Sequence, residues 1–269
     1  MTKETFQLSE DAAIIYEEQK VPAMFGPLAE ATLDIVGLSA DDQMLDVACG
    51  TGILARRARQ RFGKNPRIVG ADLNEGMISI ARTLNDPFSR SCEWHVADVS
   101  KMPFSDDEFS VLYCQQGLQF FPDEDAALRE MKRLLRPGGR IALTIWNGAS
   151  DFFKAMDAAV SRHVDAETGK KFLAPFSYGG GDTLLDRLRS LGFDNLSHRD
   201  ITVDRVIEDP ETNVAKEITG VPPGAAVIAR GEKVLQAVVD DILDEVAPYR
   251  VGNTLVIPQV THLFQAKNQ

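Results

Sequence analysis

The chain has 269 residues, 44% hydrophobic and 26% charged, enough for one substantial core with additions or two domains at most. Its 40 acidic and 29 basic side chains leave a formal charge of −11 with no Lys/Arg-rich run; such a surface repels phosphate backbones and anionic membranes, so neither nucleic acid nor a membrane is an expected partner. No stretch approaches the roughly 18 apolar residues of a membrane span, MTKETFQLSEDAA at the N-terminus lacks a signal peptide's apolar segment, and Cys49, Cys92 and Cys114 form no C-x-x-C pair, so a cytoplasmic protein with reduced thiols is expected.

Residues 9–37 read as two helices separated at Val21-Pro22. From residue 44 to about 146, strand-like and helix-like segments alternate. QMLDVAC (43–49) is a strand leading into glycines, and ILARRARQRF (53–62) the helix that follows. RIVGADL (67–73) is a second strand and EGMISIARTL (75–84) a second helix, with Met77, Ile78 and Ala81 at helical spacing. CEWHVADV (92–99) and FSVLYCQQ (109–116) are the third and fourth strands. DEDAALREMKRLLRPGG (123–139) is a helix with acids at its start and Arg/Lys at its end, matching the dipole, stopped by Pro137-Gly138-Gly139. RIALTIW (140–146) is a buried fifth strand. This alternation implies βαβ units and a parallel sheet covered on both faces.

Beyond Trp146 the rhythm loosens. SDFFKAMDAAVSRHV (150–164) is an amphipathic helix, a loop ends in Gly179–Gly181, DTLLDRLRSLGF (182–193) is a short helix and NLSHRDITVDRVI (195–207) a sixth strand. Residues 208–250 leave the alternation and carry a long helix with Leu235, Val238, Val239, Ile242 and Val246 on one face. That stripe could meet the core, the pocket or a second copy in a homodimer. TLVIPQVTHLFQAK (254–267) is the last strand, where Pro258 argues for an edge or a bulge.

The strand, glycine turn and helix around MLDVACGTGILARRA (44–58) make a ligand site at a strand's carboxyl end. Gly50-x-Gly52-x-x-Ala55 would suit a dinucleotide, and Asp72, 20 residues after Gly52, would suit either a dinucleotide ribose or another adenosine. Asp46 separates the two readings. A carboxylate aimed into the loop repels a pyrophosphate at the helix N-terminus, whereas it attracts a ligand with an ammonium and a sulfonium.

On these residues the chain resembles the class I S-adenosylmethionine-dependent methyltransferases, the small-molecule group similar to ubiquinone/menaquinone C-methyltransferases. Asp46-x-Ala48-x-Gly50-x-Gly52 is similar to that family's first motif, with Ala48 where glycine is more usual. Asp72-Leu73-Asn74-x-x-Met77 is similar to the second element, and Ala97-Asp98-Val99 to the third; PFSDDEFSVLYCQQGLQFF (103–121) and LLRPGGRIALTIW (134–146) complete the likeness. The resemblance implies a Rossmann-like α/β fold with a doubly wound seven-stranded sheet, order 3-2-1-4-5-7-6, last strand antiparallel. A helical cap (1–38) and a helical lid or insertion (208–250) would flank a core formed by 39–207 and 251–269.

It further implies S-adenosylmethionine as cofactor and S-adenosylhomocysteine as product. Asp72 would hold the ribose, Leu73 and Met77 the adenine, Asp98 and the Val99 N–H the adenine edge, and Gln115 the methionine portion. Tyr16, Phe25, Gln119 and Trp146 are candidates around a small-molecule acceptor. No catalytic residue stands out. His163, in register with Met156 and Val160, is a candidate general base, although a histidine on an apolar helix face is more often a core residue. No metal is expected, because Trp146-Asn147 replaces the Asp-Asn pair of the metal-dependent catechol type. O-methylation of an aromatic or secondary metabolite is favoured slightly over C- or N-methylation of a quinone precursor or amine. A non-catalytic cofactor-binding regulator and an NAD(P)-dependent oxidoreductase are the readings from other classes.

Overall fold

The computed structural model describes residues 10–269, and side chains from residue 13 onward; the first nine residues of the expected cap lie outside them. The described chain opens with α1 (Glu10–Ile15), a π-helix (Tyr16–Phe25) and α2 (Gly26–Val36). The expected break at Val21-Pro22 is absent. The wider π turn, closed by the Gly26 N–H on the Val21 carbonyl, carries Pro22 inside a continuous helix, where a regular α turn would clash with the ring.

The βα alternation then follows as β1 (Gln43–Val47), α3 (Ile53–Phe62), β2 (Arg67–Asp72), α4 (Glu75–Thr83), β3 (Glu93–Val96), β4 (Phe109–Gln115), α5 (Glu124–Leu134) and β5 (Leu135–Trp146). Helix α5 ends at Leu134, ahead of the expected stop at Pro137-Gly138-Gly139. Leu135 already pairs with Phe109, and the next pair is Arg140 with Val111, so Pro137-Gly138-Gly139 forms an irregularity at the start of β5. The rest of the chain comprises α6 (Asp151–His163), α7 (Ala166–Lys171), α8 (Gly181–Ser190), β6 (Phe193–Glu208), α9 (Pro210–Thr219), α10 (Gly224–Ile228), α11 (Glu232–Glu245), a two-residue β7 (Arg250–Val251) and β8 (Thr254–Asn268).

The sheet order is β3-β2-β1-β4-β5-β8-β6, with β7 added beside β8. Strands β1 to β5 pair in parallel and β8 runs antiparallel to both its neighbours. This is the expected order, with the last strand antiparallel as expected, plus one short hairpin strand. Strand β8 is interior, contrary to the edge that Pro258 suggested. Pairing with β5 ends at Thr261, however, so Pro258 sits in the part of β8 that extends past β5 and meets only Asp204 of β6. A missing ladder N–H is tolerated there.

Alternate side chains of each strand feed two cores. Leu45, Val47, Leu112 and Leu143 meet α5 and α8 through Leu128, Met131, Leu184 and Leu188. Met44, Ile68, Val111 and Tyr113 meet α2, α3 and α4 through Leu28, Leu54, Ala58 and Ile78. A third core joins α6 to α9 and α11 over the extended ends of β6 and β8, with Phe152, Met156, Val160, Val214, Val239, Ile242 and Ile257 fully or almost fully buried. The apolar stripe of α11 is thus spent on this core through Val238, Val239 and Ile242. Among the described residues no helix is long and apolar enough to cross a membrane.

Candidate active site

Between β1 and α3 the backbone takes left-handed conformations at Ala48 (φ 55°), Gly50 (φ 56°) and Gly52 (φ 84°). The two glycines serve different ends. A Cβ at Gly52 would lie 2.2 Å from the Trp94 indole, so its missing side chain makes room for a core ring from β3. Among the described residues a Cβ at Gly50 would meet only the Tyr16 ring, at 3.7 Å, and Gly50 is therefore the glycine that keeps backbone open beneath the N-terminal helices.

Two carboxylates organise this loop. Asp46 is buried and accepts from the Ala55 N–H at 3.3 Å, in the first turn of α3, so it caps that helix from the neighbouring strand. Burial lifts its pKa to about 8; the Ala55 bond pulls down and the nearby Asp72 pushes up. Asp72 ends β2, with one oxygen accepting from Gly50 N and the other from Asn74 N, both at 2.8 Å. Burial raises its pKa against the pull of those N–H groups. Downstream, Asp98 is exposed and accepts from the N–H and hydroxyl of Ser100. Leu73 and Val96, at the ends of β2 and β3, are 42% and 43% exposed, an apolar edge open to solvent. Met77 is buried beside Ala13 and Ile80, with Tyr16 packed on the group, and Val99 is half-buried against the core.

The π-helix roofs the loop. Tyr16 stacks on Phe25 (ring centroids 5.2 Å apart), Phe25 leans on Trp146 (6.1 Å), and Trp146 on Phe176 (5.8 Å), which meets Phe153 at 4.3 Å. Burial first, then Asp72, pushes the Tyr16 phenol well above its ordinary range, so it stays protonated. Gln115, ending β4, donates to the Phe25 carbonyl at 3.2 Å; among the described residues its buried Oε1 has no hydrogen-bond partner, and neither has Thr51 Oγ1 in the loop. Two ion pairs moor the roof: Glu17 to Arg56 at 2.7 Å, and Lys20 to Glu217 of α9 at 2.6 Å.

The structure gathers Asp46, Ala48, Gly50, Asp72, Gln115, Tyr16, Phe25 and Trp146 around one loop. It does not bring Gln119 or His163 there. Gln119 donates to the Pro175 carbonyl and lines a separate cavity of about 280 Å³ with Glu124, Ser177, Tyr178 and Gly180. His163, at the far end of α6, pairs with Asp241 of α11 at 2.9 Å and ties two helices together. Sequence reasoning missed Phe153, Phe176 and the Lys20–Glu217–Arg205 group. Their contacts join segments distant in sequence, and no local spacing marks them.

A family described as a methyltransferase domain matches residues 44–139. Among curated proteins, the chain is 34% identical over 136 residues to the ubiquinone/menaquinone biosynthesis C-methyltransferase of Hahella chejuensis, covering 50% of this chain and 52% of that one. It is 31% identical over 177 residues to the protein of the same name from Chromobacterium violaceum, covering 56% and 72%. The chain spans about half the length of relatives such as the Hahella and Pseudomonas putida proteins. Among solved structures, phosphoethanolamine N-methyltransferase 2 of Haemonchus contortus, bound to phosphomonomethylethanolamine and S-adenosylhomocysteine, superposes with a TM-score of 0.61 at 17% identity, covering 98% of this chain and 58% of that one. The [4+2]-cyclase SpnF superposes with a TM-score of 0.56 at 22% identity, covering 90% and 81%. These two likenesses concern the fold alone.

Proposed function

The chain belongs to the class I S-adenosylmethionine-dependent methyltransferases, and from that premise we propose that it transfers a methyl group to a small organic acceptor, releasing S-adenosylhomocysteine. Family membership sets aside the dinucleotide reading of the glycine loop. The observation that carries the proposal is the sign of the loop. Asp46 and Asp72 lie close enough for one to raise the other's pKa, and Gln115 Oε1, without a partner among the described residues, adds a third acceptor. Buried acceptors without a cation fit an ammonium and ribose hydroxyls and oppose a pyrophosphate.

In this reading Asp72, Leu73, Met77, Asp98 and Val99 hold the adenosine, and Asp46, Ala48, Gly50, Gly52 and Gln115 shape the methionine end. S-adenosylmethionine supplies a methyl carbon already activated by its sulfonium. The chain's own part is alignment and exclusion of water. Tyr16, Phe25 and Trp146 form an apolar roof, and the Tyr16 phenol keeps its proton and so can donate. We assign the helical cap to 1–38, of which the described part forms the roof, the core to 39–207 and 251–269, and a helical lid or insertion to 208–250. No nucleic acid, membrane or metal is required for the transfer, and a homodimer is compatible with it.

The aromatic wall from Tyr16 to Phe153 favours an aromatic acceptor, with O-methylation of a phenol as the first reading. C-methylation of a quinone precursor is the second, favoured by the names of the relatives. Incubation with methyl-labelled S-adenosylmethionine and a panel of phenols, quinone precursors, amines and thiols tests both. Label on a phenolic oxygen supports the first and label on a ring carbon the second. Tight S-adenosylhomocysteine binding without transfer to any acceptor would point to a binding protein.

A further inference from the structure

Strands β6 and β8 lie side by side with Asp200 directly opposite His262 and His198 opposite Phe264. His198 and Asp200 are two apart on β6 and share a face, so His262 is the cross-strand neighbour of one and the diagonal neighbour of the other. His262 Nδ1 lies 2.7 Å from Asp200 Oδ1 and 2.9 Å from His198 Nε2, and His198 Nε2 lies 3.4 Å from Asp200 Oδ1. We propose that these three side chains form a binding site for a divalent first-row transition ion of the zinc type.

Protons alone serve the cluster poorly. Each ring nitrogen carries one N–H or one lone pair in the ring plane, so a single proton on His262 Nδ1 has to be divided between its two close neighbours and is straight to neither. If both imidazoles turned an N–H towards Asp200, the two N–H groups would face each other across 2.9 Å. One ion at the convergence satisfies all three atoms together. The three distances define a triangle whose corners lie about 1.8 Å from its centre. An ion about 1 Å out of that plane meets every corner at roughly the 2.0–2.1 Å of zinc–nitrogen and zinc–oxygen bonds. Two imidazoles and a carboxylate are a recognised donor set for zinc and for iron(II), and leave a position for water.

The surroundings hold the ligands in place. The His198 ring stacks on Phe264 (4.6 Å, 16°), and Asn147 Nδ2 donates to Asp200 Oδ2 at 3.2 Å, leaving Oδ1 turned to the histidines. The side chains of His198 and Asp200 are 35% and 49% exposed, so an ion can enter from solvent. Ile145 pairs with His262 across the sheet, so the site clamps β6 and β8 beside the end of β5, next to Trp146 of the aromatic roof. This inference stands apart from the identity of the methyl acceptor.

Cobalt(II) titrated into chelator-treated full-length protein is the test, with zinc as competitor. The expected result is one equivalent bound with the visible absorption of a low-coordinate nitrogen/oxygen site, bleached by zinc. His198→Ala and His262→Ala should each weaken binding by more than about 100-fold, and Asn147→Ala by about 10–100-fold as an outer partner. His95→Gln and His163→Gln should leave it unchanged. X-ray absorption at the zinc edge of the unmodified protein keeps the test decisive should a variant misfold: two imidazoles plus oxygen are expected. Sulfur in that shell, absence of stoichiometric binding, or binding that survives both histidine substitutions would overturn the proposal.

Discussion

Ala48 and Gly117 share a space that holds only one methyl group. A Cβ on Gly117 would lie 2.7 Å from the Ala48 Cβ and 2.8 Å from Cys114 Sγ. The methyl that Ala48 adds, where the family more usually has glycine, is therefore accommodated by a glycine just past the end of β4.

Gly117→Ala should cost about 1–3 kcal/mol, the usual penalty of overpacking a full site, and should weaken S-adenosylhomocysteine binding because Ala48 belongs to the loop. Adding Ala48→Gly should recover part of the loss, since Cys114 Sγ still opposes the new methyl. Urea denaturation of the double-mutant cycle reads the coupling; additivity within about 0.5 kcal/mol would show that the two positions do not share space.

Asp72 joins the end of β2 to the glycine loop through Gly50 N and to α4 through Asn74 N. Asp72→Ala should weaken cofactor binding by about 1–3 kcal/mol, the cost of losing hydrogen bonds to a charged group. Asp72→Asn should lose less, because its amide oxygen still accepts. Isothermal titration with S-adenosylhomocysteine measures both; an unchanged affinity in the alanine variant would mean that the ribose is held elsewhere.

The order of the sheet was readable because parallel strands buried on both faces appear as short apolar runs, each followed by a turn and a helix. Asp46, Gly50 and Asp72 were readable because one βαβ unit brings them together. Gly52 was identified as part of the site, but nothing local tells that its open face is filled by Trp94, more than 40 residues away. The pairing of His198 with His262 depends on β8 inserting between β5 and β6, a long-range choice without a local signature. Pro258 misled for a related reason: a proline reports its immediate ladder partners, and β5 ends before reaching it.

Asp46 predicts the direction of a pH effect. Its pKa is about 8 in the folded protein and about 4 in an unfolded chain. Below the lower value both states hold the proton. Between the two, only the folded state keeps it, so this group's stabilisation is lost progressively as pH rises towards about 8. Asp46→Asn should therefore flatten the decline of the apo-protein's Tm between pH 5 and 8 relative to wild type. A cationic ligand favours the charged form, so S-adenosylmethionine should bind more tightly as pH rises through the same interval. Parallel Tm–pH curves for the two proteins would show that Asp46 is not the titrating group.

The last prediction concerns the mooring of the roof. Glu217 is buried between Lys20 Nζ at 2.6 Å and Arg205 Nη1 at 3.3 Å, and Arg205 lies 4.9 Å over the Phe153 ring at the end of the aromatic series. Burial alone would raise the Glu217 pKa, yet the two cations overcome it and hold the carboxyl below its ordinary range. Removing the carboxylate leaves two buried cations facing each other. Glu217→Ala should cost about 3–5 kcal/mol, as loss of one partner of a buried ion pair does, and Glu217→Gln somewhat less. Because Lys20 lies on the π-helix that places Tyr16 and Phe25, both variants should also release S-adenosylhomocysteine faster, whereas Glu211→Ala, at an exposed pair with Arg250, should change neither quantity appreciably. Chemical denaturation and stopped-flow dissociation separate the two effects: lost stability with an unchanged dissociation rate would mean that the network supports the helical insertion and not the roof.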